Sequence, residues 1–139
     1  MLLGEVVQEL RSAADAAGLC KFLLSGISEQ ERDREIMIVL LLDQTRKTFR
    51  QEIVSMGSEW GTVAYPKQVF RSAIQWGASY VVLLHTHQTG NLEPSDEDWE
   101  LTQGLIKAGI LLDVPVLDHI VLSGHEFVSL RERRWSEWC

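Results

Sequence analysis

Seven consecutive apolar residues, Ile36-Met37-Ile38-Val39-Leu40-Leu41-Leu42, constrain this chain more than any other feature. A strand with one wet face alternates apolar and polar residues. An unbroken run of this kind reads instead as a central strand buried on both faces. Tyr80 to Leu84 is a second, shorter run of the same type, and it delivers His85-Thr86-His87 at its C-terminal end. A chain holding two such strands must cover both faces of its sheet.

The remaining elements follow from turn signals and periodicity. Leu3, Val6, Val7, Leu10, Ala14 and Ala17 recur at helical spacing before Gly18, which predicts a helix over about residues 2–18. A charged stretch, Ser28 to Arg34, leads into the first strand. Asp43 to Lys47 turns the chain, and Phe49 to Met56 suits a strand pairing back on the first. Pro66 opens a helix that Gly77 ends, and Ser95 can cap another that runs to about Leu112. Val116 to Leu122 and Phe127 to Leu130, split by Ser123-Gly124, read as a closing hairpin. The sum is an α/β chain with a mixed central β-sheet flanked by helices, expected to form a single domain over 1–139.

Composition excludes several classes. At 139 residues, with 45% hydrophobic and 24% charged, the chain is ordinary globular material, yet far too short for an eight-stranded α/β barrel of about 250 residues. Thirteen Lys plus Arg against twenty Asp plus Glu leave a net charge of −7, which disfavours nucleic acid as a partner. The N-terminus carries charges at Glu5, Glu9, Arg11 and Asp15, unlike a signal peptide, and no apolar run approaches the roughly 18 residues of a membrane span. The two cysteines, Cys20 and Cys139, form no Cys-x-x-Cys. These features lead to the expectation of a cytoplasmic protein with no membrane partner.

The chemistry concentrates in His85-x-His87, seven residues, Ser95, two residues, Asp98. Two His separated by one residue at a strand end can aim both imidazoles into one cleft, and an Asp in the first turn of the next helix can close on the same point. Two imidazole nitrogens and one carboxylate are a ligand set for catalytic zinc. Each piece also has a plain structural use. Ser95-x-x-Asp98 matches a helix capping box, and Asp98 suits the helix dipole. Zinc base deaminases require His-x-Glu and a Pro-Cys-x-x-Cys, and neither is here.

The spacing His-x-His-x7-Ser-x2-Asp resembles the metalloprotease motif of the JAB/MPN (JAMM) superfamily. The stretches REIMIVLLLD, GTVAYPKQVFRSAI, YVVLLHTHQTGNLEPSDEDWELT and VPVLDHIVLSGHEFVSLRER are similar to its RadC-like branch. The likeness runs from about Glu31 to Trp135 and implies a three-layer, cytidine-deaminase-like architecture. It further implies Zn2+ held by His85, His87 and Asp98, Glu35 as general base and proton donor with Glu31 as the fallback, and Ser95 as an oxyanion donor, a role worth roughly 10²–10³ in rate. The implied activity is zinc-dependent hydrolysis of a peptide or isopeptide bond, the substrate being a peptide or a ubiquitin-like protein. The alternative is a non-catalytic or DNA-repair-associated interaction module. RadC-like proteins usually read His-Asn-His-Pro-Ser-Gly where this chain has His85-Thr86-His87-Gln88-Thr89-Gly90, and commonly His where it has Tyr65. They often carry a helix-hairpin-helix module, which nothing before Ser28 resembles.

Three further readings remain. His119, inside an apolar strand, reads as a buried, hydrogen-bonded histidine, with orientation of the site as an alternative. His125, beside Gly124, reads as solvent-exposed, and Trp135 and Trp138 as core or interface packing. The Gln88–Pro94 segment is read as a loop beside the site.

Overall fold

The computed structural model describes residues 1–28, 35–56, 66–87 and 90–138. Glu31, Trp60, Tyr65, Gln88, Thr89, Cys139 and most of the charged stretch before Glu35 lie outside them. The strands are β1 (Leu2–Gly4), β2 (Gln8–Glu9), β3 (Ile36–Leu42), β4 (Lys47–Met56), β5 (Tyr80–Thr86), β6 (Val116–Ser123) and β7 (Glu126–Ser129). The helices are α1 (Ala13–Leu24), α2 (Pro66–Gln75), α3 (Asp96–Leu112) and the short α4 (Leu130–Arg133), followed by a 3-10 turn at Trp135–Trp138.

The strands form one sheet in the order β1-β4-β3-β5-β6-β7, with β2 also pairing on β4. It is mixed: β3 runs antiparallel to both β4 and β5, and β5 runs parallel to β6 across the α3 crossover. The apolar run explains its own position. Met37, Val39 and Leu41 face α2 and α3, where Val69, Phe70, Ala73, Leu105 and Ile106 cover them. Ile36, Ile38, Leu40 and Leu42 face α1, where Ala16, Ala17, Cys20 and Leu24 cover them. Each such side chain contributes roughly 1.5–3 kcal/mol by leaving water, so three layers follow from one run. Burial also pushes the Cys20 thiol up to about 12, which leaves it unreactive at neutral pH. No helix among the described residues is long and apolar enough to cross a membrane.

Most boundaries agree with the sequence reading. The β6–β7 hairpin turns at Gly124-His125, with Ser123 facing Glu126 and Gly124 at φ 61°. A left-handed first position is what a type II′ turn demands of glycine. His125 is exposed, as expected.

The N-terminal segment is different. The predicted helix over residues 2–18 is two short strands and a later helix. Leu2–Gly4 and Gln8–Glu9 both pair antiparallel with β4, and α1 begins only at Ala13. The reason is the outer edge of β4, whose backbone groups need partners. The ammonium of Met1 donates to Ile53 O at 3.0 Å, and Ile53 N donates back to Met1 O at 2.8 Å. The buried Gln51 amide accepts from Val6 N at 3.0 Å and donates to Val6 O at 2.8 Å. The helix start is set by Ser12, whose Oγ accepts from Asp15 N at 3.3 Å. Gly18 does not end the helix, because it lies on the exposed face of α1 while Leu19, Cys20 and Leu24 continue the buried one.

Candidate metal centre

β5 is central, between β3 and β6, and its last residues carry the motif. His85 alternates onto the α3 face and is 3% exposed; Thr86 points to the α1 side. Thr86 Oγ1 accepts from Ile36 N at 2.9 Å, so the start of β3 is tied to the end of β5. Glu35, half-buried and directly before Ile36, therefore stands at the same end of the sheet. His87 leaves the strand with its N–H donating to Leu122 O at 2.9 Å.

Asp98 comes from the first turn of α3, and its position is a by-product of capping. Ser95 Oγ accepts from Asp98 N at 3.1 Å, and Ser95 N donates to the Asp98 carboxylate at 2.8 Å. This is a complete capping box, so the plain structural use of Ser95 and Asp98 is present. The same box turns the carboxylate toward the strand end. Asp98 Oδ1 lies 3.4 Å from His85 Nε2, and Oδ2 lies 3.4 Å from His87 Nε2. The two Nε2 atoms are 2.8 Å apart.

His85, His87 and Asp98 are the group among the described residues able to hold a metal ion, with one ligand atom from each within 4.8 Å of the others. Donors around one tetrahedral zinc, at about 2.0–2.2 Å from it, stand roughly 3.3 Å apart. The His–Asp spacings match this, and the His–His spacing is shorter. Tautomers add a stronger test. His87 Nδ1 meets the carbonyl of Asn91 at 2.6 Å, and a carbonyl only accepts, so Nδ1 carries a proton and, in the neutral ring, Nε2 presents a lone pair. A lone pair, a second imidazole nitrogen and a carboxylate aimed at one point form a donor set that suits a cation.

The electrostatics agree. Burial opposes ionisation of Asp98, but the hydrogen bonds that His85 and His87 give it when protonated outweigh burial and hold the carboxyl far below the ordinary range. The hydrogen bond with Asp98 raises the His87 pKa, burial opposes this, and the charge of Glu35 adds a smaller upward push. His119 is fully buried; burial holds its pKa well below the ordinary histidine value, so it is neutral. It is hydrogen-bonded, as its sequence context implied. Its Nε2 lies 2.7 Å from His85 Nδ1, and its Nδ1 lies 2.6 Å from Thr102 Oγ1.

Sequence reasoning missed Thr102 and the Asn91 carbonyl. Thr102 had a signal: it lies four residues after Asp98 on one helix face, in an apolar neighbourhood that leaves it 0% exposed. Trp138 packs against the core with Nε1 donating to Val116 O at 2.9 Å, whereas Trp135 is exposed beneath the Arg131 guanidinium.

A three-layer α/β domain whose central strand ends in His-x-His, and whose next helix returns an Asp to the same point, is a domain of JAB/MPN type. The sequence matches the RadC-like JAB domain over residues 10–135, and the chain belongs to that family. It is 40% identical over 106 residues to a UPF0758 protein of Cyanothece sp. (strain PCC 7425 / ATCC 29141), covering 75% of this chain and 44% of that protein. Against a UPF0758 protein of Trichodesmium erythraeum the identity is 36% over 127 residues, covering 91% and 49%. The chain thus spans about half the length of these relatives.

Proposed function

We propose that this chain is a zinc-dependent metallohydrolase that cleaves a peptide or isopeptide amide bond. The observation that carries the reading is the convergence of His85 Nε2, His87 Nε2 and the Asp98 carboxylate on one point at the end of β5. The JAB superfamily generally includes metalloisopeptidases, and the match to it supports the same reaction class. When bound, zinc would supply Lewis acidity toward the substrate carbonyl and toward the attacking water.

The chain's own groups divide the remaining work. His85, His87 and Asp98 hold the ion. Glu35, at the same sheet end and close enough to raise the His87 pKa, takes the proton from the attacking water and passes it to the leaving amine. Ser95 uses a lone pair of Oγ to accept from Asp98 N, so its hydroxyl proton stays available for the developing oxyanion. A cavity of about 470 Å³ adjoins Thr86 and His87 on the α1 side, floored by Leu24, Ile36 and Leu122 with Lys21 at its wall.

Elemental analysis of purified protein beside His87→Ala tests the metal, and Glu35→Gln tests the mechanism. About one zinc per chain, lost in His87→Ala, is expected. Glu35→Gln should keep the zinc while turnover of peptide or isopeptide substrates falls by roughly 10²–10⁴. A wild-type chain that takes up no zinc on loading would overturn the reading in favour of an interaction module. Full turnover by Glu35→Gln would overturn the role of Glu35.

A further inference from the structure

We propose that Thr102 and His119 are positioning residues: together they place the proton of His85 on Nδ1, so that its Nε2 lone pair is the one offered to a metal. The inference rests on the reading of His85 as a ligand. What carries it is a proton count along one buried chain of hydrogen bonds.

The count starts at α3. Thr102 Oγ1 donates to the backbone carbonyl of Asp98 at 2.8 Å. A hydroxyl has one proton, so with that proton donated to the carbonyl the same oxygen accepts in its 2.6 Å contact with His119 Nδ1. His119 therefore carries its single proton on Nδ1. Its Nε2 is a lone pair, which accepts from His85 Nδ1 at 2.7 Å. The neutral form of His85 then has no proton left for Nε2, the atom facing His87 and Asp98. The chain closes on itself, since Asp98 supplies both the carbonyl where it begins and the carboxylate beside which it ends.

The hydroxyl of Thr102 is the one free rotor in this chain. Turned toward His119 instead, it would donate to Nδ1, and every proton would move one place along. His85 would then present Nε2–H, a form unable to bind a metal through that atom. His119 and Thr102 are both 0% exposed, so no solvent proton can substitute for either partner. Neither residue touches the point where the ligands meet; both act through His85.

The test is zinc affinity by chelator competition, joined to ¹⁵N NMR of the imidazole rings. Thr102→Val keeps the shape but removes the acceptor for His119, and zinc should bind roughly tenfold more weakly. Thr102→Ser restores a hydroxyl and should come back to within roughly threefold of the wild type, a rescue that a packing role would not produce. His119→Phe should lose roughly 10–100-fold. In zinc-loaded wild type, His85 and His119 should each be protonated at Nδ1. Wild-type affinity in Thr102→Val, or a proton on His85 Nε2 in the loaded protein, would overturn the proposal. If the wild type takes up no zinc, the metal reading fails separately, and the ring spectra of the metal-free protein still decide: His119 protonated at Nδ1 supports the chain, and at Nε2 overturns it.

Discussion

At the end of β5, the partners that set the Asp98 and His87 side chains are close in sequence, while His85 and Thr86 also have remote ones in His119 and Ile36. Asp98 is set by Ser95, three positions away, and His87 by Asn91, four positions away. At the N-terminus the partners are remote: Met1 is held by Ile53 and Val6 by Gln51, 52 and 45 positions along the chain. Both regions are polar contacts on the same sheet, yet they are encoded at different ranges. Local encoding lets Asp98 and His87 be placed once their strand and helix exist, while His85 also needs β6. Remote encoding makes the edge segment depend on β4 being in place, although the added closure entropy grows only slowly with loop length. The two regions should therefore respond independently to perturbation.

Acidification gives the largest separation. Metal binding needs the His87 lone pair, and the His87 pKa is raised above its ordinary value by the hydrogen bond with Asp98. As pH falls through that raised value, protons compete with the ion, and zinc affinity should drop by up to about tenfold per pH unit for this one proton. The effect of this proton on folding has the opposite sign. A raised folded-state pKa gives stability that is fully present below about 6.5 and is lost as pH rises through the raised value. His119, held neutral with a lowered pKa, contributes the opposite sense over the same range, so the stability of metal-free protein should change little between pH 8 and 6 while zinc binds much more weakly at pH 6. Chelator competition and thermal melts of metal-free protein across that range check both halves. Zinc affinity that is flat from pH 8 to 6 would show that His87 does not bind through a titrating lone pair.

Gln51→Ala perturbs the remote region. The buried amide is bonded to Val6 N, Val6 O and Thr48 Oγ1, at 3.0, 2.8 and 3.0 Å. Its removal takes these bonds from the Val6 N–H and carbonyl, while Thr48 Oγ1 keeps its bond to Leu41 O, and each group left buried without a partner costs about 1–3 kcal/mol. Denaturant unfolding should show a loss of that size with zinc stoichiometry unchanged. A change below about 0.5 kcal/mol would mean that the edge segment is held by its backbone pairs alone. Lost zinc would mean that the two regions are coupled.

This difference in range also explains what the sequence could disclose. His85, His87, Ser95 and Asp98 were legible because one strand end and one capped helix turn bring them together, and the capping box that competes with a metal reading is the device that aims the carboxylate. The buried strands were legible because both faces of β3 are covered and the run is unbroken. Strands β1 and β2 were not, since apolar residues at helical spacing in residues 3–17 say nothing about an open edge at β4. Thr102 escaped because its place four residues after Asp98 does not disclose that His119, on another strand, lies 2.6 Å away.

Gly18 supplies the smallest effect and tests why the N-terminal reading failed. A glycine after an apolar helical pattern commonly marks a helix end, and its conformational freedom is the reason. Here it lies within α1, on the exposed face, and a Cβ added there would meet nothing within 4 Å. Its backbone is not left-handed, so alanine fits without strain. Gly18→Ala should then stabilise the fold by about 0.5–1 kcal/mol, through the helix propensity that glycine lacks and the entropy it adds to the unfolded chain. The midpoint of chemical denaturation should rise accordingly, with zinc affinity unchanged. Destabilisation instead would mean that the helix breaks at residue 18 in solution, and that the terminator signal outweighs the buried face formed by Leu19, Cys20 and Leu24.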